Sequence, residues 1–328
     1  MHVGLIAGLA FVLICVLALL GFVLSSGSGD DSAQREAEAQ TRETVDKATE
    51  AVNSIIPGAD SSTGGLAGNA KDISPTTVLS IPGSKSIETI LVDSDSVSAE
   101  PCSFDTSEIK SAISSIEELG DCGFVFLDMS TGHGLSYNAD EEIYIASAAK
   151  AVLTLYALTN GASADEWERY NIEEAITYSD NDAYESFAYN YSGDGYYGEW
   201  LNAHDVWFDD YVFDLYPPMS ARSLASFWTE ILQYVKSGSE DAQWFAGVLG
   251  STETSFIRDA VSETGATVIN KGGWIGEEGY ASVTDAGIIE LDGHTYLMVV
   301  ITGQFDEGLT EENVTDLARA LFAVRNQM

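Results

Sequence analysis

The sequence predicts an α+β fold in which one antiparallel sheet is flanked by helices and carries an all-helical subdomain. Two groups of apolar runs of strand length predict the sheet, one within residues 122–137 and the other within residues 267–302. The stretch between them has apolar residues at helical spacing, and further helical patterns precede the first strand and follow the last. This order suits one sheet formed from both ends of the region and covered by the terminal helices.

Each element follows from a local pattern. Apolar residues recur at helical spacing after residue 107, and this pattern ends at Gly120. A glycine-containing turn at 130–134 separates the first two strands, and Asp292-Gly293 separates the last two. The predicted order is a helix at 107–119, strands at 122–128 and 135–137, helices from 147 through the 180s, a helix at 220–235, strands at 267–271, 280–290 and 295–302, and a final helix with its apolar face at 314–322.

The charge balance argues against a nucleic-acid partner. The 328 residues include 52 Asp and Glu but only 14 Lys and Arg, a formal net charge of −38, whereas nucleic acids bind to basic patches. Hydrophobic residues make up 45% of the chain, which is enough for a core, so this is not a disordered acidic protein. We interpret the negative charge as a property that keeps the surface soluble, or as an adaptation to a salty or cation-rich exterior.

The amino-terminal segment, residues 1–25, is predicted to be a transmembrane anchor. Residues 3–24 form an apolar run of the length that crosses a bilayer, and no basic segment of the kind that opens a signal peptide precedes it. Cleavage after residues 25–27 is the alternative. We expect a single-pass anchor in the cell membrane, with the long acidic remainder outside the cell. Residues 26–103 are acidic and rich in Ser and Gly, so they are predicted to be a linker with room for one helix at 33–56, and the folded domain is assigned to 104–328.

The cysteines and histidines favour a disulfide over a metal site. Cys102 and Cys122 follow the predicted anchor, in a compartment where disulfides persist. A bridge between them closes a short loop and contributes on the order of 3 kcal/mol, and two unpaired buried thiols are the alternative. His133, His204 and His294 have no ligand spacing, so neither a metal nor a cofactor is expected.

Three short motifs carry the candidate catalytic residues. Ser147 and Lys150 are three residues apart at the start of an apolar helical run, so they share one face of the helix near the positive end of its dipole. An activated serine needs such a base and such a field, although this pattern alone more often marks an exposed serine and lysine. The other two motifs are Ser179-Asp180-Asn181, between helices, and Lys271-Gly272-Gly273-Trp274, at the end of a late strand.

Ser-x-x-Lys, Ser-Asp-Asn and Lys-x-Gly on a strand, in that order, are the signature of the active-site serine enzymes that include class A β-lactamases and penicillin-binding proteins. Residues 105–328 therefore resemble a class A β-lactamase-like domain, in element order as well as in motifs. The resemblance implies an extracellular serine hydrolase that forms an acyl-enzyme with a β-lactam or a cell-wall-peptide-like amide. A domain that has lost efficient catalysis and acts as a cell-wall binding or sensing module is the alternative.

The resemblance implies four catalytic residues. Ser147 is expected to be the acylated nucleophile, and Lys150 its adjacent base or proton relay, within hydrogen-bond reach of the serine hydroxyl. Ser179 is expected to pass a proton to the leaving nitrogen. Lys271 is expected to close the same cleft and to supply positive potential to Ser179 and to a substrate carboxylate.

The resemblance also implies substrate-binding groups. Asn181 is expected to hold the side-chain amide of the substrate, and Asp180 to anchor its own loop. The strand at Gly273 is expected to bind substrate, and the oxyanion hole is expected to consist of the backbone N–H groups of Ser147 and Trp274, each worth about 3 kcal/mol if it is preorganised.

Two departures from the family pattern bear on turnover. Gly272 stands where the family usually has a hydroxyl, which removes one hydrogen bond to a substrate carboxylate. The loop at 207–216 is short and lacks the Glu that aligns the deacylating water in class A enzymes. Asp209, Asp210 and Asp214 are the candidate substitutes, and exposed loop acids are the alternative. We therefore expect slow deacylation.

Overall fold

A seven-stranded antiparallel sheet organises the part of the chain that the structure describes. The computed structural model describes residues 69–162, 166–193, 195–207, 215–277, 280–303 and 309–328. The strands of the sheet are β1 (Glu88–Val92), β2 (Val97–Pro101), β3 (Cys122–Asp128), β4 (His133–Tyr137), β7 (Thr267–Ile275), β8 (Ser282–Leu291) and β9 (His294–Thr302), in the order β2-β1-β4-β3-β9-β8-β7. A separate pair consists of β5 (Ile143–Tyr144) and β6 (Pro218–Met219). The strand order brings early and late strands together, as predicted.

Helices cover both faces of this sheet. They are α1 (Pro75–Val78), α2 (Ser107–Glu117), α3 (Ala149–Thr159), α4 (Glu166–Thr177), α5 (Asn181–Ser192), α6 (Tyr196–Ala203), α7 (Ala221–Lys236), α8 (Glu240–Gly250), α9 (Phe256–Val261) and α10 (Leu309–Ala323), with 3-10 turns at Ala146–Ala148 and Arg325–Gln327. Helices α3 to α6 lie between β5 and β6 in the sequence and form the predicted all-helical insertion. The α+β class with flanking helices is therefore confirmed.

The central strands separate two hydrophobic cores because their side chains alternate between faces. On β3, Phe124 and Phe126 pack with helices α2, α9 and α10. Val125 and Leu127 point the other way, into the core that contains α3 and α7. Helix α3 is buried along most of its length, so its amino end, which carries Ser147, is fixed against the sheet.

The folded domain begins earlier than residue 104. The described residues from 69 onward belong to one compact unit with the rest of the domain, so the linker prediction is wrong for 69–103. Strand β1 pairs with β4, and α7 holds the preceding segment through hydrogen bonds from Ser226 Oγ to Pro75 O (2.8 Å) and from Gln233 Nε2 to Ile73 O (3.1 Å). This segment resembled a linker because β2 is a mostly exposed edge strand, which polar residues suit.

A chain shortened to residue 104 is therefore expected to lose most of its stability, whereas one that starts at residue 69 should keep it. The shorter chain loses the buried side chains Ile73, Val78, Ile81, Ile87, Ile90 and Val92. Each contributes roughly 1.5–3 kcal/mol, and the total stability of a domain is typically about 5–15 kcal/mol. Circular dichroism melts of the two chains measure the difference. Equal melting temperatures for the two chains would mean that the folded domain begins at residue 104 after all.

The predicted disulfide is wrong: Cys102 and Cys122 are both free thiols. The Cys102 N–H donates to Ile87 O at 3.3 Å, so Cys102 continues the pairing of β2 with β1. Strands β1 and β4 lie between β2 and β3, and neighbouring strands are about 4.8 Å apart, which separates the two cysteines by about 14 Å. A disulfide needs Cα atoms within about 7 Å. Burial raises the pKa of the Cys122 thiol well above its usual range.

The predicted anchor, residues 1–25, lies outside the described residues, as do residues 26–68. Among the helices that the structure does describe, none combines the length and the apolar character that crossing a bilayer requires.

Candidate active site

Ser147 lies in the 3-10 turn Ala146–Ala148, directly before α3. The residue before it, Ala146, has a φ of +48°, a left-handed conformation that is unfavourable for alanine and is typical of functional sites. The Ser147 side chain is half-buried. Ser147 therefore lies in a strained turn that precedes helix α3, rather than at the start of the helix as the sequence pattern indicated.

Gly273 is where strand β7 meets this turn. A Cβ atom at Gly273 would lie 2.5 Å from both Ser147 N and Ala148 N, and 2.7 Å from Ile145 O. These are backbone atoms that cannot rotate away, so only glycine fits. The close contact brings the strand that carries Trp274 against the turn that carries Ser147, as the predicted oxyanion hole requires. Trp274 itself is 39% exposed.

Lys150 is fully buried, and its amine is held by the Ser179-Asp180-Asn181 segment. Its Nζ donates to Ser179 O at 2.6 Å, to Asn181 Oδ1 at 2.7 Å and to Asp180 O at 3.2 Å. Within the described residues, no hydrogen bond joins Lys150 Nζ to Ser147 Oγ, so the predicted direct bond is wrong for this state. The amine donates instead to three acceptors in the segment 179–181. Catalytic hydrogen bonds often form only in the substrate complex or through one water.

Ser179 joins the two buried lysines of the site. Its carbonyl accepts from Lys150, and its Oγ accepts from Lys271 Nζ at 3.1 Å. Lys271 Nζ also donates to Gly272 O at 3.0 Å. Ser179 has a φ of +60°, and the Asp180 side chain caps α5 by accepting from Ala183 N at 2.7 Å. Ser179 and Lys271 are therefore bonded to each other, and Asp180 anchors its own loop, as predicted.

Burial lowers the pKa of both lysines. The pKa of Lys150 falls to about 7, first because the amine is desolvated and second because Lys271 is also positive, although Asp180 and Glu185 oppose the shift. Desolvation lowers the pKa of Lys271 to about 8, opposed by Asp285. Near neutral pH, Lys150 can therefore accept a proton while Lys271 is still mostly charged.

We expect acylation of Ser147 to follow a bell-shaped pH profile. The rate should rise as pH increases through about 7, where Lys150 becomes a neutral base, and fall above about 8, where Lys271 loses its charge. Rates of covalent labelling measured between roughly pH 6 and 9 cover both the rising and the falling part of the profile. In Lys271→Arg the alkaline limb should move to higher pH because arginine stays charged. A flat profile in the unmodified protein would contradict these roles.

Gly272 is not required by packing. A Cβ atom there would have its nearest neighbour, Thr254 O, at 3.5 Å, and Asp285 Cγ at 3.7 Å, both ordinary contact distances. A residue with a Cβ atom would therefore fit at this position without displacing the backbone. Asp209, Asp210 and Asp214, the candidate deacylation bases, lie outside the described residues.

Sequence reasoning missed Asp285, which is buried on β8 opposite Gly272. It accepts from Ile257 N at 2.9 Å and from Asn270 Nδ2 at 2.8 Å. Burial raises its pKa to about 6, although these hydrogen bonds and Lys271 act in the opposite direction. An acid in the middle of a predicted strand, directly before the apolar run at 286–289, was the signal that could have identified it.

Sequence reasoning also missed the tyrosines near the site. Tyr216 OH donates to Asn181 Oδ1 at 3.4 Å, and its ring packs edge-on against Tyr184. Tyr144, three residues before Ser147, packs edge-on against Tyr280. Tyr184 is fully buried.

Comparison with known proteins assigns the family. The model of the beta-lactamase enzyme family matches residues 106–189 and 214–324. Among solved structures, a variant of the last common ancestor of class A β-lactamases of Gram-negative bacteria is similar at 17% identity, with 67% of this chain and 99% of that chain covered and a TM-score of 0.55. A class A β-lactamase from Mycobacterium abscessus is similar at 16% identity, with coverages of 67% and 99% and a TM-score of 0.54.

A penicillin-binding protein gives a similar match. A PBP-A variant, solved as an acyl-enzyme complex with penicillin G, is 17% identical, with 68% of this chain and 97% of that chain covered and a TM-score of 0.54. No curated protein matches the sequence. At these identities the structural matches show the fold, whereas the family model covers more than half of the chain. The chain therefore belongs to the beta-lactamase enzyme family.

Proposed function

We propose that the protein is an acyl-enzyme-forming serine hydrolase that acts through Ser147 on a β-lactam or a cell-wall-peptide-like amide. One observation carries this proposal: Ser179 bonds to both buried lysines, Lys150 and Lys271, and Lys271 lies on the strand whose Gly273 approaches the Ser147 turn. This arrangement provides a base and a proton donor to the two sides of a scissile bond. A PBP-A variant of similar fold was solved as an acyl-enzyme complex with penicillin G, which supports this proposal.

In the proposed acylation, Ser147 Oγ attacks the carbonyl carbon and its proton passes to Lys150 Nζ. The oxygen that becomes negative is stabilised by the N–H groups of Ser147 and Trp274. The C–N bond then breaks, and the leaving nitrogen takes a proton through the Ser179 hydroxyl, with Lys271 supplying positive potential. Asn181 is proposed to hold the side-chain amide of the substrate. Water later releases the acyl group from Ser147.

Slow deacylation is part of the proposal. Among the described residues, the acceptors bonded to Lys150 Nζ are two carbonyls and the Asn181 amide, and no carboxylate joins them. Loss of a general base typically slows such a step by about 10²–10⁴-fold. We therefore expect the acyl-enzyme to accumulate rather than to turn over rapidly.

A fluorescent penicillin tests both parts. We expect stoichiometric covalent labelling that persists after the free penicillin is removed. The label should be absent from Ser147→Ala and unchanged in Ser251→Ala, an exposed serine at the end of α8. A label on Ser147→Ala would contradict the assignment of Ser147 as the nucleophile. Rapid loss of the label would show that a deacylating base is present, and Asp209, Asp210 and Asp214 would then be the first positions to replace.

A second candidate function is a cell-wall binding or sensing module that keeps the fold without efficient chemistry. Gly272 favours it, because this residue lacks the side-chain hydroxyl that the resemblance leads us to expect, although a Cβ atom would fit there. Saturable, non-covalent binding of penicillin or of a cell-wall peptide, without any mass increase of the protein, would support this function over the first.

We also propose that residues 1–25 anchor the protein in the cell membrane with the domain outside. The uninterrupted apolar run at 3–24 supports this arrangement. The full chain should fractionate with membranes, and a protease that cuts between residues 26 and 68 should release the domain. Recovery of the intact chain in the soluble fraction would contradict the anchor.

A further inference from the structure

Tyr216 is held beside Asn181, the first residue of helix α5. The Tyr216 ring packs edge-on against Tyr184, with the two ring centroids 5.1 Å apart. Tyr184 is fully buried on α5, and its hydroxyl donates to Leu215 O at 2.7 Å. The ring of Tyr216 and the backbone that precedes it are therefore both fixed against α5.

The side-chain oxygen of Asn181 accepts from two donors. Lys150 Nζ donates to it at 2.7 Å, and the Tyr216 hydroxyl donates to it at 3.4 Å, which is a long hydrogen bond. An amide oxygen has two lone pairs and can serve both donors. Asn181 is exposed, and no described residue accepts from its Nδ2. The two donors therefore turn the N–H groups of the amide away from Lys150 and leave them available to a substrate carbonyl.

Lys150 cannot keep all of its hydrogen bonds while it acts as the base. Its Nζ donates to three acceptors in the segment 179–181, and an ammonium has three donors. To take the proton of Ser147, the amine must direct its lone pair at the Ser147 hydroxyl, so at least one of the three acceptors loses its donor. The step that activates the nucleophile thus weakens the hold on the segment that is proposed to bind the substrate.

Two of the three acceptors have a second donor. Asp180 O also accepts from Tyr184 N at 3.3 Å, within the first turn of α5, and Asn181 Oδ1 also accepts from the Tyr216 hydroxyl. A backbone carbonyl in a helix keeps its direction without Lys150, whereas an amide side chain can turn about its own bonds. Asn181 is therefore the acceptor whose orientation depends on its second donor.

We propose that Tyr216 is a positioning residue whose hydroxyl keeps the Asn181 amide oriented towards a side-chain carbonyl of the substrate while Lys150 acts as the base. Burial, and secondly the Glu185 carboxylate, raise the pKa of the Tyr216 phenol well above its usual range. The hydroxyl therefore keeps its proton at the pH where Lys150 gives up its charge. Acyl donors that carry an amide beside the reacting carbonyl are favoured as a result. This role of Tyr216 rests on the proposed acylation of Ser147.

Two β-lactams that differ in one group test this role. A penicillin with an acetamido side chain carries the amide, and penicillanic acid has the same fused rings and the same carboxylate without it. Acylation opens the β-lactam ring and releases no atom, so the intact mass of the protein follows both reactions as the gain of one whole molecule. Tyr216→Phe should slow acylation by the amide donor about threefold to tenfold, the usual effect of one hydrogen bond, and leave acylation by penicillanic acid within about twofold of normal.

Asn181→Ala decides whether Tyr216 acts through the amide. When Asn181→Ala is already present, adding Tyr216→Phe should change acylation by the amide donor by less than about twofold, because no amide is left to orient. Tyr137→Phe, on β4, is the matched control, since it also removes a bonded hydroxyl, one that donates to Glu117 Oε1. It should leave the preference between the two donors unchanged. Thermal melts of the variants show how much of the fold each one keeps.

Three results would overturn the role of Tyr216 and leave the hydrolase function standing. Tyr216→Phe could slow both donors equally, which would indicate an effect on the fold or on Lys150, or it could slow neither. It could also slow the amide donor as much in Asn181→Ala as in the unmodified protein, which would indicate a direct contact with the substrate. If penicillanic acid does not react with the unmodified protein, the comparison with and without Asn181→Ala decides with the amide donor alone. If neither donor acylates Ser147, the proposed function is itself overturned, and the role of Tyr216 with it.

Discussion

Replacing Lys150 with methionine is expected to slow the acylation of Ser147 by about 10²–10⁴-fold, the usual cost of losing a general base. Methionine keeps the length and the burial of the side chain but has no amine. Lys271 is not positioned to replace it, because its Nζ is bonded to Ser179 Oγ and Gly272 O. The rate of adduct formation with penicillin, followed by intact mass, measures the effect.

Two further lysine variants distinguish the base from a mere positive charge. Lys150→Arg keeps the charge but cannot release a proton near neutral pH, so it should be as slow as the methionine variant. Lys236→Met, on α7 and bonded to Ala70 O at 3.3 Å, should acylate at the normal rate. Acylation by Lys150→Arg at close to the normal rate would exclude Lys150 as the base.

Replacing Gly273 with alanine is expected to slow acylation by about 10²–10³-fold, the range measured when one oxyanion donor is lost. The added Cβ would lie 2.5 Å from Ser147 N and from Ala148 N, so the strand and the turn must separate. This separation moves the N–H groups of Ser147 and Trp274 apart. The same mass assay measures the rate, and a thermal melt shows how much of the fold is kept.

Gly272→Ala is the matched control because it adds the same atom one residue earlier on β7. Its Cβ would have nothing nearer than 3.5 Å, so acylation should stay within a few-fold of normal and the melting temperature should hardly change. Equal acylation rates for the two alanine variants would mean that the contact between β7 and the Ser147 turn does not shape the oxyanion hole.

The sequence predicted the elements that repeat a clear period. Strand β3 was placed by its apolar run and helix α2 by helical spacing, each within a residue or two of its observed ends. The edge strand β2 was missed because an exposed, polar strand has the composition of a linker. The disulfide was wrong because spacing along the chain does not reveal that two strands lie between β2 and β3.

The motifs located the candidate catalytic side chains but not the backbone that holds them. Ser179 and Lys271 meet as predicted. The positive φ angles of Ala146 and Ser179 could not be predicted from the sequence, because neither alanine nor serine favours that conformation. The bonds from Lys150 Nζ to two carbonyls were equally hidden, because backbone acceptors depend on how the loop turns rather than on which side chains it carries.

The central claim is that Ser147 becomes acylated, and peptide mapping of the penicillin adduct tests it most directly. The protein is incubated with penicillin, the intact mass is recorded, and the digested adduct is sequenced by mass spectrometry. We predict one added penicillin per chain, attached to Ser147 and absent from Ser147→Ala. An adduct on another residue, including Ser179, or a wild-type protein that gains no mass would contradict the claim.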